Sequence, residues 1–118
     1  MSTPELIYKV ATETNYAPAR KNGTYTGMPV DAADGYMHFS TGAQLAETLR
    51  RHFAGQANLV LLAVETKLLG ENLVWEASRG GALFPHLYDV PLQTALVAWE
   101  APLSVAEDGS CQLPPGVR

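Results

Sequence analysis

The sequence predicts an α+β domain, and three features carry that prediction. Residues 58–64 read Asn-Leu-Val-Leu-Leu-Ala-Val, an apolar run between polar neighbours that suits a strand buried on both faces. Thr41 stands three residues before Gln44, and Leu45, Leu49 and Phe53 then recur every four residues. That pattern is a capping box opening a helix with one apolar stripe. Shorter stretches of strand character lie at 5–10, 36–39, 73–77 and 92–101, separated by segments rich in glycine and proline.

Taken in order, Glu5 to Val10 is the first strand, with Ile7 and Tyr8 as strand formers. Thr12 caps a short helix expected to run to Arg20, made irregular by Pro18 and ended by Gly23. Residues 22–34 read as a long loop, and long loops in small domains tend to be functional. Tyr36 to Phe39 is a short strand that runs into the capped helix starting at Gly42. Arg50, Arg51 and His52 fall in the last turn, where cations suit the helix dipole, and Gly55 follows as its stop. After the apolar run come a turn at 68–70, the strand at 73–77 and a loop at 79–81. Residues 83–88 are too short and too interrupted by Pro85 for a helix. A single domain spans 1–118, with an ordered core over 5–104 and a frayed tail over 107–118.

Composition narrows the function. The 118 residues suffice to bury one core without disulfides or metals. The formal net charge is −4, and Arg50, Arg51 and His52 are only a local basic cluster, which argues against a duplex nucleic-acid partner. The lone Cys111 forms no internal disulfide, and the Cys and His spacing fits no zinc motif. The first ten residues lack the features of a signal peptide, and no stretch has the length of a membrane span. The expected location is cytoplasmic, and the expected partner is a small molecule.

His38 is the first candidate for chemistry. Alternation along the strand sends Met37 and Phe39 to the core and places His38 and Ser40 together on the other face. The strand leads into Ser40-Thr41-Gly42 at a helix start, where free N–H groups favour an anion and Gly42 leaves room for one. His86 is the second candidate, held by Pro85 in a rigid segment that presents His86 and Tyr88 together. Glu76 lies beside Trp75 in a strand and faces the opposite way. Phosphate-loop, dinucleotide and nucleophile-elbow motifs are absent from the sequence.

Several segments together resemble the bacterial domain-of-unknown-function family 952. They are Leu6-Ile7-Tyr8-Lys9-Val10, Gly23-Thr24-Tyr25-Thr26-Gly27, Asp34 through Thr41, Trp75-Glu76 and Phe84-Pro85-His86-Leu87-Tyr88. The resemblance runs from Leu6 to about Glu100, in order along the chain. Two positions depart from it: Tyr16 where a tryptophan is expected, and Asp89 where a glycine commonly follows the tyrosine. The resemblance implies an ADP-ribosyltransferase-like fold, with a mixed or mainly antiparallel split β core and flanking short helices. It also implies a distant similarity to RNA 2′-phosphotransferases and makes NAD the candidate cofactor of the central crevice.

Three functions follow. In the first, NAD lies in the cleft with its pyrophosphate or ribose near Ser40, Thr41 and Gly42. His38 then bonds a ribose hydroxyl, Tyr25 or Tyr88 stacks on a ring, and Glu76 stabilises the positive charge that develops as nicotinamide leaves. In the second, the same cleft binds a nucleotide or phosphometabolite without turnover. In the third, His38 and His86 are the acid–base pair of a hydrolase or isomerase, which requires the two imidazoles to converge.

Overall fold

The computed structural model describes residues 3–118, and its centre is the apolar run read as a doubly buried strand. That run is β5 (Leu59–Glu65), in which Leu59 through Val64 are all buried. β1 (Leu6–Thr12) pairs with it on one side and β9 (Val97–Leu103) on the other. β4 (Ser40–Thr41) lies beyond β1, so the sheet runs β4-β1-β5-β9 with every pairing antiparallel.

Both faces of this sheet are covered, which is why β5 carries apolar side chains at successive positions. On one face Tyr8, Val10, Leu61 and Ala63 pack beneath the amphipathic helix, whose Leu45 and Leu49 are fully buried. Burial on that scale contributes about 1.5–3 kcal/mol per leucine side chain. The C-terminal segment covers the rest of this face instead of fraying. Leu113 and Val117 pack on the same cluster, and Arg118 N–H donates to the Tyr8 hydroxyl at 3.0 Å. The expected frayed tail therefore packs against the core through Cys111, Leu113 and Val117, contacts too sparse to form a periodic pattern.

On the other face, Ile7, Ala11, Val60, Leu62 and Val64 meet a second, three-stranded sheet. It comprises β3 (Met37–His38), β7 (Leu83–Leu87) and β6 (Leu73–Ala77), in the order β3-β7-β6 and again antiparallel. The segment around Pro85 is thus a central strand, where a proline is unusual. The carbonyl of Pro85 accepts from Phe39 N–H at 3.0 Å. A residue's N–H and C=O point to the same side of a strand, so the missing donor lies where β3 has already ended.

The helices match the caps. α1 (Glu13–Asn22) starts at Thr12, whose hydroxyl accepts from Asn15 N–H, and ends at Gly23 with φ 84°. It runs through Pro18 and two residues past Arg20. The expected loop at 22–34 is mostly structured. It holds β2 (Thr24–Tyr25), paired with β8 (Leu92–Gln93), and the short α2 (Pro29–Asp34). α3 (Gly42–His52) is the capped helix, with Thr41 and Gln44 forming both arms of the box. Its last periodic residue, Phe53, is the C-cap and only half-buried. No described helix is long and apolar enough to cross a membrane.

Candidate functional site

Alternation and strand register put one set of side chains on one face of the β3-β7-β6 sheet. His38 and His86 are direct cross-strand partners, and Val74 is the partner of His86 on the far side. Met37, Pro85, Leu87 and Trp75 take the opposite face, toward the core. The two imidazole centroids are 5.4 Å apart. The Tyr36 ring lies against both, at 4.6 Å from His38 and 4.2 Å from His86, and reaches Tyr88 at 5.1 Å. Three rings of this row, Tyr36, His38 and His86, line a cleft of about 770 Å³, within the usual size range for small-molecule sites. Ser40 and Thr48 also line it, their hydroxyls bonded at 2.8 Å, and Arg51 and His52 reach it from the end of α3.

Each histidine is held by a carboxylate at Nδ1. For His38 the partner is Asp31, whose Oδ1 is 2.7 Å from Nδ1 and also accepts from the His38 backbone N–H at 2.9 Å. The other oxygen of Asp31 accepts from Met28 N–H at 2.6 Å and pairs with the Lys9 ammonium at 2.7 Å. Lys9 and Asp31 are both buried. Burial alone would raise the Asp31 pKa, but the His38 bond and the Lys9 charge outweigh it and hold the group at about 2. Burial lowers the Lys9 pKa, and the attraction of Asp31 only partly offsets that. For His86 the partner is Glu76, at 2.7 Å, which also accepts from the Tyr88 hydroxyl at 2.6 Å. Those two donors hold the Glu76 carboxyl below its ordinary value, and the same bond pushes the Tyr88 phenol up to about 12.

His38 carries a second carboxylate. Asp34, the last residue of α2, meets its Nε2 at 2.9 Å.

The residues singled out from sequence divide into two groups. His38, Ser40 and His86 line the cleft together, with Glu76 bonded to His86 and Tyr88 bonded to Glu76. Tyr25, Thr41 and Gly42 take other places. Tyr25 is buried in the core, edge-on to Tyr16 at 5.0 Å, with its hydroxyl bonded to Asn15. Its hydroxyl is raised well above an ordinary phenol, chiefly by burial. Thr41 is occupied as the cap of α3. The space expected over Gly42 is filled, since a Cβ there would stand 2.5 Å from the Arg118 carbonyl oxygen. The start of α3 is therefore covered by the chain itself rather than open to a ligand.

Lys9, Asp31, Asp34 and Tyr36 belong to the site and were not singled out. Lys9 had a signal: it is a charge among apolar residues in a strand whose neighbours are buried on both faces. Asp31 had one as well. Pro29 followed two residues later by an aspartate is a helix start, with proline at N1 and a side chain able to return to the N-cap N–H. No three His, Cys, Asp or Glu side chains among the described residues are grouped to hold a metal ion.

The model of the family described as "Protein of unknown function (DUF952)" matches residues 10–100. The chain belongs to the DUF952 family. Among solved structures it is similar to the protein CC0527 of Caulobacter crescentus. That crystal structure is 52% identical, with a TM-score of 0.85 over 91% of this chain and 93% of the other. A double mutant of CC0527 gives 50% identity and a TM-score of 0.85 over the same shares. The solution structure of CC0527 gives 52% identity and a TM-score of 0.78 over 89% and 90%. No curated protein matches the chain. This chain has an α+β architecture of antiparallel sheets with few helices, and CC0527 is a close structural neighbour.

Proposed function

We propose that this DUF952 protein is an acid–base enzyme that hydrolyses or isomerises a small polar substrate with His38 and His86 as its working pair. The observation that carries the reading is their side-by-side placement, 5.4 Å apart on one cleft wall, with a carboxylate at 2.7 Å from Nδ1 of each. A carboxylate at Nδ1 fixes the ring and leaves Nε2 as the atom that meets substrate. His38, with Asp31 bonded at Nδ1 and the Asp34 carboxylate 2.9 Å from Nε2, enters as the proton donor. His86, with Glu76 on Nδ1, enters as the acceptor. In hydrolysis the attacking water gives its proton to His86 Nε2 and its oxygen to the substrate, while His38 Nε2 protonates the leaving oxygen. In isomerisation the proton taken by His86 comes from the substrate carbon, and His38 protonates the developing oxygen. Exchange with solvent then restores both rings.

The resemblance to ADP-ribosyltransferases points instead to NAD, with Glu76 as the charge-stabilising group. The cleft volume and the ring row suit such a ligand. The residues do not fit at the start of α3, where the pyrophosphate was expected and Arg118 stands over Gly42. The acid–base pair is therefore the better supported reading.

The test is a turnover screen of esters, phosphoesters and sugar isomers, with NAD and ADP-ribose in the same panel. Once a substrate is found, His38→Gln and His86→Gln should each lower kcat by roughly 10²-fold or more, with circular dichroism unchanged. Full activity in either variant would defeat the pair. Nicotinamide release that depends on Glu76 would restore the ADP-ribosyl-transfer reading, and binding of a panel member without turnover would make the cleft a binding module.

A further inference from the structure

The Asp34–His38 contact has a meaning beyond the orientation of a ring. Asp31, deep in the fold, is already sufficient to hold His38 at Nδ1. Asp34 adds nothing to that hold. It is an exposed carboxylate at the end of a six-residue helix, and it sits on the nitrogen that faces the cleft. We infer that Asp34 occupies the seat of an anionic oxygen of the substrate, so that the substrate is an oxyanion that displaces Asp34 from His38 Nε2.

The surroundings agree with a negative guest. Arg51 and His52 line the same cleft as His38 and come from a different element, the last turn of α3. Arg51 is engaged by Glu47 through Nε, and among the described residues Glu47 is its only ion-pair partner. Both of its Nη nitrogens lie outside that bond. A guanidinium beside the His38 ring on one cleft suits a phosphate group better than a neutral head, because charge-assisted bonds are about twice as strong as neutral ones. The aspartate competes from within the molecule, so the free protein holds its own seat closed. A ligand then meets a reduced apparent affinity, lowered by the fraction of molecules in which Asp34 is withdrawn. α2 ends at Asp34, and Gly35 follows it in the left-handed region with φ 87°. Withdrawal of the carboxylate needs only a side-chain rotation at an exposed position.

This inference rests on the reading of His38 as the histidine that meets substrate, but its test requires no turnover. Inorganic phosphate, with acetate as the carboxylate arm, is titrated into the full chain while the ring nitrogens of His38 are followed by long-range ¹H–¹⁵N NMR. Asp34→Asn and Asp34→Ala should bind phosphate about tenfold more tightly than the parent, the factor expected if Asp34 holds the seat in nine molecules of ten. The His38 Nε2 signal should move with the same midpoint. Arg51→Gln in the Asp34→Ala background should reverse most of the gain. Acetate should bind the Asp34 variants more weakly than phosphate does, and tighter acetate would make the guest a carboxylate. Equal phosphate midpoints in parent and variants would overturn the inference, and so would shifts that leave His38 untouched. Phosphate binding in the predicted order alongside a failed turnover screen would count against the acid–base reading alone.

Discussion

Asp31 and Glu76 hold neighbouring histidines at the same distance, 2.7 Å, from opposite surroundings. The Asp31 side chain is 2% exposed and saturated by donors: two backbone N–H groups, an imidazole and a buried ammonium. The Glu76 side chain is 40% exposed and takes its second bond from Tyr88, just past the end of β7. His38, the ring on the buried carboxylate, is itself a third exposed, while His86, on the exposed carboxylate, is buried. Each pair thus has one end in the protein and one toward water, in opposite order. The first pair is tied to the fold through its carboxylate and the second through its histidine. Damage to the carboxylates should therefore be felt in different currencies, stability for one and chemistry for the other.

The largest expected effect is from Asp31→Asn. It leaves Lys9 buried without its counter-charge, and breaking a buried pair from one side costs about 3–5 kcal/mol. Urea unfolding measures it, and Lys9→Met in the same background should recover part of the loss. A change below about 1 kcal/mol, the range of surface pairs, would erase the contrast.

Next in size is the acid limb of stability. The Asp31 pKa is about 2 in the fold against an ordinary 3.8. A depressed carboxyl contributes stability in full above the unfolded value and loses it as pH falls through the folded one. The difference corresponds to roughly 2 kcal/mol, lost between about pH 5 and pH 1. In Asp31→Asn the unfolding midpoint should be flatter over that window, and an unchanged acid limb would show that another carboxylate governs it.

The smallest effect on the fold is from Glu76→Gln, which should leave the urea midpoint where it is. Its mark is spectroscopic. The Tyr88 phenol, pushed up to about 12 by its bond to Glu76, should titrate closer to the ordinary 10 in the variant. Ultraviolet titration of tyrosinate, read as the difference between parent and variant, reports it. A difference spectrum without that early step would mean that the Glu76–Tyr88 bond does not govern the phenol.

The core elements were legible because each rests on a repeating or doubled signal. The apolar run at 58–64, the Leu45–Leu49 stripe and the Thr41–Gln44 box each involve several residues that agree. Strand alternation likewise put Met37 and Phe39 in the core and His38 on the cleft side. What escaped was short or non-local. The six residues of α2 complete less than two turns and show no stripe, so the segment reads as loop. The site depends on Lys9 reaching Asp31 from another element, a contact that no local pattern encodes. Gly42 was read for its lack of a side chain, but what the glycine admits is Arg118, seventy-six positions along the chain. Asp89 is a converse case. Its φ of 68° is one that glycine adopts freely, in keeping with the glycine expected there.

Gly27 extends the reach of the buried pair to a residue that never touches the cleft. Its φ is 103°, and a Cβ there would stand 2.6 Å from the Asp31 carboxylate. Even alanine at 27 would press on the acceptor that steadies His38 and neutralises Lys9. In a saturation screen this turn position should therefore score alongside the histidines, intolerant of every replacement, while the neighbouring Thr26 accepts many. A genetic map of such a protein would mark Gly27 as active-site territory, although it supplies no functional group at all.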